Sequence, residues 1–382
     1  MADTAIRKGL AGVVADTTAI STVDAATDSL TYRGYPVQDL AGTRAFEEVA
    51  HLIWTGELPG PERLAAFTAR ERAWRALDRN TLDLLRRVPE SAHPMDVLRT
   101  AISYLGADDP AEDDGADQAT AERLMARLPS VVAADRRRRH GLDPIPPDPS
   151  LGFAENFFHM CFGEVPEPEV VRCFEASLVL YAEHGFNAST FAARVVTSTR
   201  SDAYSAVTAA IGALKGPLHG GANEAVMHML NEIGTADRAE EWVDRALAGK
   251  RRIMGFGHRV YAHGDSRVPT MRRALARMAE ARGADGLMEL YSAVERAVAD
   301  RKGLHPNLDY PAGPAYRLMG FDVPMFTPIF VMSRITGWTA HILEQQAANS
   351  LIRPLSAYSG PPHRAVPAQR DRASAASPAA SG

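Results

Sequence analysis

Helical periodicity with very little β-rich sequence is the feature that most limits what this chain can fold into. After about residue 40 there is almost no continuous β-rich run, whereas apolar residues recur at helical spacing in segment after segment. The predicted helices cover residues 43–53, 62–77, 94–105, 119–138, 153–162, 167–184 and 189–199. Trp54, directly after the first of them, and Trp74, in the second, are expected in the core. The β-branched stretch over residues 12–21 predicts a short hairpin or an extended arm. The expected fold class is therefore mainly α, with a short N-terminal β or extended segment.

Length and composition narrow the class of protein. A chain of 382 residues exceeds the usual single-core domain, so two domains are expected. Its 46% hydrophobic and 23% charged residues are ordinary for a globular protein, and a formal net charge of -5 gives no reason to expect a nucleic-acid partner. The two cysteines, Cys161 and Cys173, have neither metal-site spacing nor a disulfide framework, which favours a cytoplasmic location. No signal-peptide core or membrane-spanning stretch is found, so no membrane association is expected.

Three short segments place ionisable residues beside glycine or proline. They run from Lys215 to Asn223 around His219, from Gly255 to Tyr261 around His258, and from His305 to Asp309. Glycine permits tight turns and close approach of another backbone, which suits side chains that must be aimed at a small molecule. Two imidazoles and a carboxylate can move protons near neutral pH. The forks of Arg267, Arg334 and Arg353 suit carboxylates, so the pattern indicates a small, multiply negative substrate.

Each candidate also has a purely structural interpretation. His219 could cap the helix that follows it, His258 could be an ordinary loop histidine, and Asp309 could cap a turn. His184 precedes Gly185, so it could simply interact with a helix C-terminus. No histidine spacing matches a metal site, and no metal is expected. The basic run from Arg136 to Arg139 is better explained as the last turn of a helix than as a nucleic-acid site.

Several motifs in order along the chain carry a family resemblance. Besides the three segments above, they are Leu30–Tyr35, His93–Asp96, Tyr181–Asn187 and Ser333–Arg334. From about Gly9 to about Ser359 the chain resembles the citrate synthase family, most closely its short bacterial 2-methylcitrate synthase branch. The resemblance implies a two-domain helical fold in which residues 1–219 and 317–360 form a large domain and residues 220–316 a small one. The tail over 361–382, rich in Pro, Ala and Ser, is expected to be disordered.

The resemblance also implies a Claisen-type condensation of an acyl-CoA with oxaloacetate. Asp309 would remove the α-proton of the acyl-CoA, His219 would donate a hydrogen bond to the enolate oxygen, and His258 would polarise the ketone of oxaloacetate. The implied oxaloacetate ligands are His184, Arg267, Arg334 and Arg353. The implied CoA contacts are Arg252, Ile253, Met254, Gly255, Phe256 and Arg259. No cofactor is implied, because the acyl-CoA is a substrate.

The family works as a dimer, and the resemblance implies a homodimer in which Arg353 completes the partner's site. Several alternatives stay open at the level of sequence. The enzyme could act on propionyl-CoA, on acetyl-CoA as a dedicated citrate synthase, or on both, and the Tyr181–Asn187 and His93–Asp96 motifs favour propionyl-CoA. A CoA-thioester lyase or hydrolase is a more distant alternative, and a non-catalytic helical scaffold is a third.

Overall fold

The structure, a computed structural model, describes residues 6–109, 117–258, 260–261 and 263–366. It is mainly helical, which confirms the predicted fold class. Within these ranges the helices are α1 (Val37–Thr43), α2 (Phe46–Thr55), α3 (Pro61–Trp74), α4 (Arg79–Arg87), α5 (Pro94–Ala107), α6 (Gln118–Arg139), α7 (Phe153–Phe162), α8 (Pro168–Tyr181), α9 (Ala188–Ser198), α10 (Ala203–Lys215), α11 (Ala222–Ile233), α12 (Ala239–Ala248), α13 (Val268–Ala281), α14 (Asp285–Lys302), α15 (Asp309–Leu318) and α16 (Phe326–Ala347). Short 3-10 helices cover Lys8–Leu10, Ala236–Arg238 and Val323–Met325.

The strands of the described ranges form one small antiparallel sheet near the N-terminus. Its strands are β1 (Ser21–Asp24), β2 (Ser29–Tyr32) and β3 (Tyr35–Pro36), in that order across the sheet. Ser21 lies opposite Tyr32, and Thr31 lies opposite Pro36. Of the two alternatives predicted for residues 12–21, the hairpin is wrong, because residues 13–18 belong to no strand and strand pairing begins only at Ser21; the unpaired stretch agrees with the alternative of an arm.

Three further sequence predictions need correction. Thr43 does not begin a helix: it ends α1, and its hydroxyl donates back to the carbonyl of Asp39 at 2.7 Å. The helix that follows begins at Phe46, where the Glu48 carboxylate accepts the main-chain N–H of Ala45. The short helix α4 was not predicted. Trp74, expected in the core, is 37% exposed, and the guanidinium of Arg123 lies over its ring at 5.5 Å.

Helix α16 runs through the core and brings functional residues with it. Almost all of its side chains up to Ile342 are buried, and it packs against α2, α6, α8, α9 and α10. Gly337 permits a close approach to the end of α8: a Cβ there would lie 2.2 Å from Oε2 of Glu183 and 2.6 Å from the carbonyl oxygen of Ala182. The main-chain N–H of Gly337 donates to that same carbonyl at 3.2 Å. This contact fixes the position of Arg334 relative to the end of α8.

Residues Met1–Ser350 form one compact unit and Leu351–Gly382 a second. In the second unit the described residues, 351–366, form neither helix nor strand and are almost all exposed. The predicted disordered tail lies mostly outside the described residues. The proposed division at residues 220 and 316 stays a prediction. Among the described residues, no helix combines the length and apolar composition needed to cross a bilayer.

Candidate active site

Two of the sequence motifs are joined by main-chain hydrogen bonds. Phe256 and Pro306 form an antiparallel bridge, and the N–H of Gly257 donates to the carbonyl oxygen of His305 at 2.9 Å. Gly255 has φ +82°, and a Cβ there would lie 2.6 Å from Val226, so this segment requires glycine. The bridge brings the His258 segment alongside the segment that leads into Asp309.

The C-terminal end of α8 holds two arginines through its main-chain carbonyls. The carbonyl of Tyr181 accepts Nε of Arg334 at 2.7 Å, and that of Leu180 makes a longer contact of 3.5 Å with Nη1 of Arg267. The last carbonyls of a helix lack partners within the helix and carry partial negative charge, so guanidinium groups satisfy them well. Both arginines are buried, with 5% of Arg267 and 2% of Arg334 exposed.

The two arginines differ in what else they bind. The Asp265 carboxylate accepts hydrogen bonds from Nε and Nη2 of Arg267 at 2.9 and 2.7 Å. Burial opposes the charge of Arg267, but the contact with Asp265 outweighs it and raises the pKa of the guanidinium. Burial lowers the pKa of Arg334 to about 10, which still leaves it charged at neutral pH. Its terminal nitrogens have no hydrogen-bond partner within the described part of the chain, so they are available to an anion.

His258 is fixed in one tautomer by its own loop. Its Nδ1 accepts the main-chain N–H groups of Val260 at 3.1 Å and Tyr261 at 3.2 Å. A main-chain N–H can only donate, so the proton of the neutral ring sits on Nε2. Burial, with the positive charge of Arg267, lowers the pKa of His258 to about 4. At neutral pH the ring is therefore an uncharged hydrogen-bond donor through Nε2.

His219 has the opposite tautomer. Its Nε2 accepts the main-chain N–H of Ser189 at 3.3 Å and lies 2.8 Å from the Ser189 hydroxyl, to which the indole N–H of Trp338 donates at 3.1 Å. The proton therefore sits on Nδ1. Burial, with the charge of Arg334, lowers the pKa of His219 to about 4, so this ring is also neutral at pH 7. Gly221, not His219, lies at the N-cap of α11, so His219 does not cap that helix.

Asp309 lies at the start of α15, and its side chain does not cap a turn. Its Oδ1 accepts the phenolic O–H of Tyr181 at 2.6 Å. Burial raises the pKa of Asp309 to about 6, and the hydrogen bond from Tyr181 and the charge of Arg267 oppose that rise. At pH 7 the carboxylate is mostly ionised, yet more basic than an exposed aspartate. This combination suits a general base.

His184 lies three residues beyond the end of α8. Its Nε2 is 2.9 Å from the hydroxyl of Tyr261, and its ring centroid is 5.1 Å from that of His258. Burial and the charge of Arg267 keep the pKa of His184 well below its usual value. The field of Arg334 acts on His184, His219 and Asp309 alike, so the candidates from separate motifs share one electrostatic environment.

The other predicted site residues differ in how far they are exposed. Arg252 is exposed, Ile253 and Met254 are partly buried, and the ring of Phe256 packs on Tyr310 at 4.4 Å. Arg259 lies outside the described residues. Arg353 is exposed in the second unit. The roles predicted for all of these residues stay predictions.

Sequence reasoning missed the residues that hold the candidates in place. Tyr181, Ser189, Tyr261, Asp265 and Trp338 received no role. Asp265 could have been inferred, because an acidic residue two positions before a buried arginine is a natural partner for it. Tyr181 and Trp338 could not, because each acts on a residue more than 100 positions away.

Comparisons with known proteins identify the family. The family model for the citrate synthase C-terminal domain matches residues 9–355. The 2-methylcitrate synthase of Mycobacterium tuberculosis (strain ATCC 25618 / H37Rv) is 65% identical over 363 residues, covering 95% of this chain and 92% of that protein. A citrate synthase of Mycolicibacterium smegmatis is 63% identical over 364 residues, covering 94% of this chain and 97% of the relative.

Solved structures give the same result. The citrate synthase of Thermotoga maritima MSB8 superposes with a TM-score of 0.86 at 39% identity, covering 96% of this chain and 99% of that one. The citrate synthase of Thermoplasma acidophilum, solved as a ternary complex with carboxymethyl coenzyme A and oxaloacetate, gives a TM-score of 0.89 at 31% identity, covering 96% of this chain and 100% of that one. The resemblance found in the motifs is confirmed, and the chain belongs to the citrate synthase family.

Proposed function

We propose that this protein condenses propionyl-CoA with oxaloacetate and water to give 2-methylcitrate and CoA, with acetyl-CoA as a second substrate that gives citrate. The observation that carries the proposal is the constellation of one ionised carboxylate, two neutral imidazoles with fixed donor nitrogens, and two buried arginines. The 65% identity to a protein named 2-methylcitrate synthase supports propionyl-CoA as the acyl substrate.

The first step is proton removal from the acyl group. Oδ2 of Asp309 takes the α-proton of the thioester, and the electron pair of the C–H bond moves into the enolate. A thioester α-proton is too weakly acidic for a carboxylate alone, so the developing enolate oxygen needs a positioned donor. Nδ1–H of His219 supplies that hydrogen bond, because Ser189 occupies the other ring nitrogen.

The second step forms the carbon–carbon bond. The enolate carbon attacks the ketone carbon of oxaloacetate, and the electron pair of the C=O bond moves onto the oxygen. That oxygen takes the Nε2 proton of His258, and the proton held by Asp309 restores the neutral imidazole. His184 hydrogen-bonds the same substrate, and Arg267 and Arg334 hold its carboxylates. Bidentate pairs fix orientation as well as charge, which brings the reacting carbons together. Water then cleaves the thioester, and release of CoA makes the overall reaction irreversible.

We propose a homodimer in which Arg353 supplies a carboxylate contact to the partner's site; the family resemblance and the exposure of Arg353 support it. Two free, buried cysteines are compatible with a reducing, cytoplasmic location. The CoA adenine is proposed to lie against the main chain of residues 252–256.

A dedicated citrate synthase is the second candidate, favoured by the 63% identity to a protein named citrate synthase. Propionyl-CoA and acetyl-CoA differ by one methylene, which is worth about 1–3 kcal/mol in an apolar pocket, or about 10- to 200-fold in kcat/KM. The deciding measurement is kcat/KM for both thioesters with saturating oxaloacetate. The release of the free thiol of CoA monitors the reaction. We expect propionyl-CoA to be preferred by at least about tenfold. A preference for acetyl-CoA would establish the second candidate.

The same assay separates the more distant classes. Thiol release without oxaloacetate would indicate a hydrolase. Absence of both thiol release and calorimetrically measured CoA binding would indicate a non-catalytic scaffold.

A further inference from the structure

The phenol of Tyr181 is held against Asp309 by contacts at both ends of the tyrosine. Its hydroxyl donates to Oδ1 of Asp309 at 2.6 Å, and its main-chain carbonyl accepts Nε of Arg334 at 2.7 Å. Its ring packs on that of Phe330 with centroids 4.2 Å apart, and only 2% of the residue is exposed. The hydroxyl therefore has one well-defined position, in hydrogen-bond contact with Asp309, the predicted base.

The direction of this hydrogen bond follows from the surroundings. Burial and the neighbouring carboxylate of Asp309 raise the pKa of Tyr181 well above its usual value, so the phenol keeps its proton and donates it. Besides burial and this phenol, the largest influences on the pKa of Asp309 are the cations Arg267 and Arg334 and the carboxylate of Asp265. Tyr316, on α15 itself, also feels the charge of Asp309, but its hydroxyl donates to Ser177 at 3.1 Å.

A single donor on one carboxylate oxygen has two consequences. It fixes the plane of the carboxylate, which otherwise rotates freely about the Cβ–Cγ bond. It also leaves Oδ2 of Asp309 without a hydrogen-bond partner among the residues that the structure describes. Short O–H···O⁻ bonds of this kind are charge-assisted and favour the ionised form of the acceptor.

We propose that Tyr181 is the positioning residue of the general base: it holds Oδ1 of Asp309, so that Oδ2 stays ionised and oriented to take the α-proton of the acyl-CoA. The inference rests on the proposed condensation. In the step itself the α C–H bond breaks, its proton goes to Oδ2, and its electron pair enters the enolate. Tyr181 keeps its own proton throughout.

The central variant is Tyr181→Phe, which removes one oxygen atom and preserves the ring. Tyr316→Phe is the matched control, because it also removes one buried phenolic oxygen next to α8. We would measure kcat/KM for the acyl-CoA, at saturating oxaloacetate, from pH 5 to 9. Loss of a hydrogen bond to a charged group is expected to move the acidic limb of the Tyr181→Phe profile up by about one to two pH units. Its plateau is expected to fall about tenfold, because the base is no longer held in the reactive orientation.

A second measurement does not depend on turnover. The protonated carboxyl band of Asp309 is identified by infrared difference against Asp309→Asn and titrated in each protein. The pH midpoint of the Asp309 titration is expected to rise in Tyr181→Phe and to be unchanged in Tyr316→Phe. Incorporation of a ring-fluorinated tyrosine at position 181, which makes the phenol a stronger donor, is expected to lower the midpoint. This third protein also provides a test if Tyr181→Phe fails to fold.

The outcomes separate the inference from the function on which it rests. An unchanged Asp309 midpoint in Tyr181→Phe, or an equal shift in Tyr316→Phe, would overturn the role of Tyr181. Full turnover by Asp309→Asn would instead overturn the assignment of the base, and absence of condensation by the unaltered protein would overturn the proposed function. Even in those cases the infrared titration decides whether Tyr181 controls the ionisation of Asp309.

Discussion

At the scale of single residues, the site depends on which nitrogen of each imidazole carries the proton. His219 and His258 are both neutral and both partly buried, but opposite ring nitrogens accept main-chain N–H groups. Each ring is therefore left with one donor, and the two donors serve different substrates in the proposed reaction. This division of roles follows from partners outside the imidazoles, not from the histidines themselves.

Replacement of each histidine is expected to impair a different part of the reaction. His219→Ala should retain oxaloacetate binding and lose enolisation by about 10²–10⁴-fold, because the enolate loses its donor. His258→Ala should weaken oxaloacetate binding and keep more of the enolisation. Exchange of the thioester α-protons with solvent deuterium measures the first property, and calorimetry with oxaloacetate measures the second. His228→Ala, on the exposed side of α11, is the control and should match the unaltered protein in both. Loss of CoA affinity alone in both variants would contradict these two roles.

The sequence indicated the candidate residues but not the hydrogen bonds that hold them. Glycine and proline beside His219, His258 and Asp309 mark places where the chain turns tightly, and this signal is local. The hydrogen bond from Tyr181 to Asp309 spans 128 positions in the sequence, so no local pattern encodes it. The roles themselves came from the family resemblance, not from the composition of the motifs.

At the scale of helices, two N-termini are satisfied by glutamates from elsewhere in the chain. Oε2 of Glu175, on α8, accepts the N–H of Phe46 at the start of α2 at 2.8 Å. Oε1 of Glu47, on α2, accepts the N–H of Phe153 at the start of α7 at 2.9 Å. Burial, with the nearby charge of Glu47, raises the pKa of Glu175 to about 8. The predicted bounds of α7 were correct, but the glutamate that binds its first N–H could not be read from its own sequence.

This arrangement predicts a pH-dependent stability. Between about pH 4.5 and 8 the folded protein keeps a proton on Glu175 that the unfolded chain has released, so the free energy of unfolding falls as pH rises through this window. Glu175→Gln removes the titration and should flatten that part of the curve. Denaturant unfolding at pH 6 and pH 9 measures the difference, with Glu169→Gln, whose side chain in the first turn of α8 is 39% exposed, as the control. An unchanged slope in Glu175→Gln would contradict the protonated state.

The last turn of α6 shows a prediction that local sequence could support. The helix ends at Arg139, as a basic run followed by glycine indicated. Arg138 and Arg139 pair with Asp135 and donate to main-chain carbonyls of residues 88, 90 and 92. These arginines join α6 to the segment before α5, which leaves them poorly suited to binding a nucleic acid.

At the scale of the whole molecule, we propose that the site draws on two chains. The described part of the second unit, residues 351–366, has no helix or strand, and Leu351, Leu355 and Tyr358 are exposed at 58%, 91% and 79%. Large apolar side chains in such a segment are typical of a surface that another chain covers. The proposed partner is a second copy of this chain.

Mixing two inactive proteins tests this proposal. His258→Ala and Arg353→Ala, unfolded and refolded together, should form about half mixed dimers. If Arg353 acts across the interface, each mixed dimer has one site with both lesions and one intact site. Activity should then return to about a quarter of the unaltered level. If Arg353 serves its own subunit, every site keeps a lesion and the mixture stays inactive. Each variant refolded alone is the control.

The carbonyl contacts at the end of α8 have a consequence for replacements at Leu180 and Tyr181. Leu180 and Tyr181 contact Arg267 and Arg334 through carbonyl oxygens, which every amino acid carries. A point mutation at either position changes the side chain and keeps the acceptor, as long as the helix ends at the same residue. Side-chain replacement at these two positions therefore leaves the proposed dicarboxylate contacts in place, and a change at Tyr181 acts on the general base alone.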